Sequence, residues 1–103
     1  MKYEIDKHDN RLLIIRFNNK KEMYNTLSQI SKRYEQLEVM AEGYNFPASF
    51  VEKTDKIYDF VKENNIKYVI GVYNSINMLN SIQHEKLHAK YYLDQEYKNK
   101  IDK

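Results

Sequence analysis

Apolar and polar positions alternate, cluster and then recur in a way that divides the chain into short strands and helices. Residues 2–6 (KYEID) alternate, with Tyr3 and Ile5 on one side, as an edge strand does. Lys7-His8-Asp9-Asn10 supplies turn chemistry, and Arg11–Phe17 (RLLIIRF) carries four consecutive apolar residues that need cover on both faces. Together they predict an N-terminal β-hairpin. Asn19, with Glu22 three residues on, predicts a capped helix start. Met23, Leu27, Ile30, Tyr34 and Leu37 then form one helical stripe, facing a sheet or a dimer seam.

Leu37 to Ala41 is expected as a short strand, and Gly43 to Pro47 as the clearest break. Ser49 with Glu52 predicts the start of a second helix with the stripe Phe50, Thr54, Ile57, Tyr58 and Val61. Asn64-Asn65 ends it, because Asn tolerates the left-handed conformation of a helix stop. Residues 66–73 (IKYVIGVY) read as a central strand, where Gly71 marks a bulge or a close backbone approach. A third helix runs from Ile76 or Ser81 to near Asn99, with Met78, Leu79, Ile82, Ala89, Leu93 and Tyr97 on its apolar side. The expected fold is one α+β domain over residues 1–103, a small mixed sheet of three or four strands packed with three helices.

Composition narrows the function classes. Leu, Ile, Val and Phe make up about a quarter of the 103 residues, enough for one modest core. There is no cysteine, so disulfide scaffolds, thiolate zinc sites and cysteine nucleophiles are excluded. Two glycines cannot build a P-loop or a dinucleotide fingerprint. The first ten residues lack the apolar stretch of a secretory signal and no run spans a membrane, so a cytoplasmic location is expected. A net charge of +2, mostly from lysine, argues against a strongly basic nucleic-acid binder. A weak nucleic-acid role through Lys86, Lys90 and the tyrosines among them ranks third.

One segment carries chemistry. His84-Glu85-Lys86-Leu87-His88 is an H-E-x-x-H motif that uses two of the chain's three histidines. On a helix the two imidazoles lie about 40° apart and one turn above each other, so both can reach one metal ion. Glu85 lies about 100° from His84, placed to address water beside the metal rather than the metal itself. By these residues the chain resembles the zincin metallopeptidases, and the strand before the helix resembles the zincin edge strand that holds a peptide by β-pairing. The resemblance implies zinc on His84 and His88, Glu85 as general base, and hydrolysis of a peptide or amide bond. Lys86 and Lys90 stand where zincins carry uncharged residues. No third ligand sits at a familiar spacing: on an unbroken helix Asp94 points about 120° away from His88 and Glu96 lies too far along, which leaves His8, Glu42, Asp55 and Asp59 to be judged in three dimensions. The alternative reading is a small interaction module that binds a peptide or protein partner, or forms a homodimer through its first or third helix. His84 and His88, opposite the apolar side, are then either a solvated outer face with no chemistry or pH-sensitive contacts on a partner surface.

Overall fold

The computed structural model describes the backbone of residues 1–35 and 42–101, and the side chains of those up to residue 95. In chain order the elements are β1 (Lys2–Ile5), β2 (Leu12–Phe17), α1 (Lys20–Glu35), β3 (Gly43–Pro47), a 3-10 turn (Ala48–Phe50), α2 (Tyr58–Glu63), β4 (Tyr68–Tyr73) and α3 (Met78–Ile101). The fold is α+β with an N-terminal hairpin, as the pattern predicts. The strands form one mixed sheet in the order β1-β2-β4-β3. β2 and β4 run parallel in its centre, and β1 and β3 flank them antiparallel.

Strand periodicity sorts the side chains into two cores. Leu13, Ile15 and Phe17 of β2, Val69 of β4 and Tyr44 and Phe46 of β3 face Met23, Leu27 and Ile30 of α1. Ile57 and Val61 of the α2 region join the same core. Leu12, Ile14, Tyr68, Ile70 and Val72 point the other way and pack against Ile82, Ala89 and Leu93 of α3. The result is three layers, with α1 and α2 on one face of the sheet and α3 on the other.

Gly71 resolves into a close approach. An added Cβ would lie 2.1 Å from Leu27 Cδ1, so α1 rests where that side chain is absent. The stop after α2 also follows expectation: Asn65 has φ 53°.

Three expectations change. Gly43–Pro47 is not a break but strand β3, because Tyr44 and Phe46 alternate into the core and Pro47 sits at the end of an edge strand, where its missing N–H breaks no ladder. Ser49 does not open a helix. It lies in the 3-10 turn, and α2 begins only at Tyr58. Asp55 fills the gap: its carboxylate accepts from the Glu52 N–H and from the Arg33 guanidinium of α1, which pins residues 51–57 as a loop. The strand before α3 is β4 in the middle of the sheet, so the edge strand near α3 is β3. The short strand expected over Leu37–Ala41 lies outside the described residues.

Candidate functional site

The site is assembled by the first half of α3 lying across the β3 side of the sheet. α3 buries Ile82, Ala89 and Leu93, spaced 7 and 4 residues apart, and this sets which way the rest of the helix points. Glu85 falls on the same buried side and is only 8% exposed. His84 and His88 fall toward the outer rim and are exposed. Leu79, expected on the apolar side, is 67% exposed. The helical spacing predicts the two imidazoles on one side and Glu85 about 100° from His84, at the edge of that side. The structure divides them between rim and interior.

The burial of Glu85 is supported by a side-chain chain from the sheet. The Tyr68 hydroxyl donates to Asn45 Oδ1, and Asn45 Nδ2 donates to Glu85 Oε2. The other carboxylate oxygen lies beside Gly43, where a Cβ would come within 3.4 Å of Oε1. Burial pushes the Glu85 carboxyl above the usual glutamate range. The Asn45 amide and the nearby His84 and His88 pull it part of the way back, and Glu35 adds to the rise. Burial likewise raises Tyr68, with negative charge on Glu85 and Glu35 adding to it, so its phenol stays protonated and serves as a donor. Neither Asn45 nor Tyr68 carries a sequence motif. The one available signal was that Asn45 interrupts the apolar run of a strand.

The imidazole pair meets a simple geometric test for a shared ion. Two rings bound through nitrogen at ~2.05 Å, with a tetrahedral angle at the ion, have centres about 5.2 Å apart. The His84 and His88 ring centres are 5.1 Å apart, with planes at 78°. Among the described residues no group of three or more His, Cys, Asp or Glu side chains gathers as a metal site. The candidate third ligands are accounted for elsewhere. Glu42 pairs with Lys20 at 2.7 Å and accepts from the Tyr73 hydroxyl. Asp55 holds Arg33 at 2.7 Å. His8 and Asp94 share a different cleft with Asp6, Lys86 and Lys90. Asp59 is exposed on α2, and the Glu96 side chain lies outside those described. Lys86 leans away from the imidazoles to pair with Asp6 at 2.9 Å.

Two further features adjoin the pair. The first is a cleft of about 500 Å³ that His88 lines together with Tyr34, Glu35, Asn45, Tyr68 and Tyr92. Glu35 was not among the sequence candidates. The second is the outer edge of β3. The Ala48 N–H bonds the Lys67 carbonyl at 2.9 Å, which sets the phase of the ladder. Tyr44 and Phe46 then bond inward to β4, and Gly43 and Asn45 turn their backbone groups away from it. Among the described residues β4 is the only strand beside β3.

Comparison with protein-family models, curated proteins and solved structures returns no significant match. The site is therefore read from its own chemistry. No helix among the described residues is long and apolar enough to cross a membrane.

Proposed function

We propose that the chain is a small zincin-type hydrolytic domain, in which His84 and His88 hold zinc and Glu85 is the general base toward a peptide or amide bond. The observation that carries this reading is the 5.1 Å ring separation, which suits two nitrogens on one tetrahedral ion. Two neighbours support it. A desolvated carboxylate with a raised pKa is suited to taking a proton from water near neutral pH, and Glu85 is such a group beside the imidazoles. The outward backbone groups of Gly43 and Asn45 suit β-pairing with an extended peptide, next to Glu85. Zinc supplies Lewis acidity when bound. Asn45 orients the carboxylate, and Tyr68 orients Asn45.

The test is metal content and turnover on untagged protein. Dialysis against zinc should leave about one ion per chain, and His84→Ala or His88→Ala should remove it. Glu85→Gln should keep the zinc but cut hydrolysis of a fluorogenic peptide library about 100-fold or more, the scale of lost general-base catalysis. A wild-type protein that returns from dialysis free of zinc ends the reading.

One observation favours a second reading, an interaction module. Leu87 and Tyr91, one turn apart on the outer face of α3, are each 69% exposed. Self-association through that face should show as a concentration-dependent mass in light scattering, abolished by Leu87→Glu. A constant monomer mass across the dilution series ends it.

A further inference from the structure

We propose that the tyrosine-walled cleft beside His88 is a pocket for a basic side chain, lysine or arginine, carried on a peptide. The inference rests on the hydrolase reading only for the role of that peptide as substrate. The pocket's chemistry is independent of it.

The cleft opens between the end of α1 and the middle of α3, above the Asn45–Tyr68 corner of the sheet. Tyr34 enters from α1, and Tyr91 and Tyr92 enter from α3. Tyr68 forms part of the floor, its ring tilted against that of Tyr92 with centroids 5.1 Å apart. Four phenol rings thus line one space, and the faces of such rings carry the negative end of the aromatic quadrupole. Glu35, in the last turn of α1, adds the one carboxylate on the lining among the described residues. It is exposed and makes no ion pair among the described residues. Four other carboxylates are engaged by cations: Glu4 by Arg16, Asp6 by Lys86, Asp9 by Arg11 and Asp55 by Arg33. Among the described residues no Lys or Arg lines the cleft, and His88 is the single basic group on it.

That set selects among occupants. A phosphate or carboxylate would meet Glu35 without a cation to offset it. An aliphatic side chain would pack on the rings but leave the Glu35 carboxylate without a partner. A guanidinium or ammonium satisfies both elements, stacking on the rings and pairing with Glu35. The volume of about 500 Å³ exceeds one side chain, so it also admits the backbone that carries it. His88 borders the cleft, so the basic residue would sit close to the bond presented to the imidazoles.

The experiment uses metal-free protein and aromatic-proton NMR. The probes are N-acetyl-lysine and N-acetyl-arginine methylamides, set against the leucine and glutamate methylamides and methyl glucoside. Both cations should shift the ring resonances of Tyr34, Tyr91 and Tyr92, and the three other probes should leave them in place. Glu35→Gln should weaken the cations about fivefold, and Tyr91→Ala by a similar factor, with an unchanged backbone spectrum. Glu35→Lys should reverse the preference toward the glutamate derivative. The proposal is overturned if no cation shifts the tyrosines, if the leucine derivative or the glucoside binds as well, or if Glu35→Gln binds the cations undiminished. Because no metal is present, failure to bind zinc leaves this result standing, and failure of the cations to bind leaves the zinc result standing.

Discussion

At the scale of single residues, Gly71 and Leu27 form a pair in which the absence of one side chain makes room for the other. Leu27 is fully buried, so its methyl has no free space into which to retreat from a Cβ placed 2.1 Å away. Gly71→Ala should therefore cost about 1–3 kcal/mol, the usual penalty for overfilling a packed core. The same substitution should cost less in a Leu27→Ala background, because the clashing methyl is then gone. Urea titration of the four proteins measures that coupling. Additive losses would show that α1 does not rest on Gly71. The position lies within an apolar strand, and Gly there announced a constraint without saying which element supplied it. The answer lay in three dimensions, since Leu27 is 44 residues away in sequence.

At the scale of elements, legibility followed the strength of local periodicity. The hairpin, the stripe of α1 and the central strand β4 are plain in the sequence, because each carries a sustained period whose central residues, such as Leu13 and Ile15 of β2, Met23, Leu27 and Ile30 of α1 and Val69 and Ile70 of β4, are buried. β3 was misread because Gly and Pro outweighed the alternation of Tyr44 and Phe46, a signal only two residues deep. The second helix was misplaced because its apparent cap competes with a tertiary one. Arg33 of α1 reaches the Phe50 carbonyl at 2.9 Å and the Asp55 carboxylate at 2.7 and 3.1 Å, holding the segment as a loop. The motif helix is legible together with its buried side, Ile82, Ala89 and Leu93, and its exposed histidines, whereas the burial of Glu85 is not. The spacing puts Glu85 about 100° from His84, beside a metal-bound water, and its partners Asn45 and Tyr68, from two different strands, hold it inside. The Arg33–Asp55 pair makes a testable claim. Burial alone would raise the Asp55 carboxyl, but the Arg33 hydrogen bond and charge and the Glu52 N–H together hold it below the usual aspartate range. The unfolded state then binds more protons in that window, so this contribution is complete above about pH 3.8 and is lost as pH falls through the lower, folded value. Asp55→Asn should cost about 1–3 kcal/mol at neutral pH, as for a partly buried charged hydrogen bond. The difference from wild type should shrink toward zero in strong acid. A gap that stays constant from pH 7 to the acid limit would assign the loss to packing instead.

At the scale of the whole molecule, the histidine rim matters only if α3 unfolds together with the sheet. Ile82, Ala89 and Leu93 tie the helix to Leu12, Ile14 and Ile70, so a domain of this size should melt as one unit. An ion that bridges His84 and His88 then stabilises the entire chain, because the unfolded state does not hold the two rings one helical turn apart. At a free zinc concentration a hundredfold above the dissociation constant, the gain is about 2.7 kcal/mol. For a chain of about 100 residues that raises Tm by about 10–20 °C. Magnesium, which prefers oxygen ligands, should give no comparable gain. His84→Ala and His88→Ala should each remove most of the zinc effect, and acid should weaken it, because protons compete for the same nitrogens. Glu85→Gln should retain it, which separates holding the ion from using it. An equal rise in Tm for the double variant His84→Ala/His88→Ala would locate the ion elsewhere, and the pair of rings would then be an outer helical face with no metal to share.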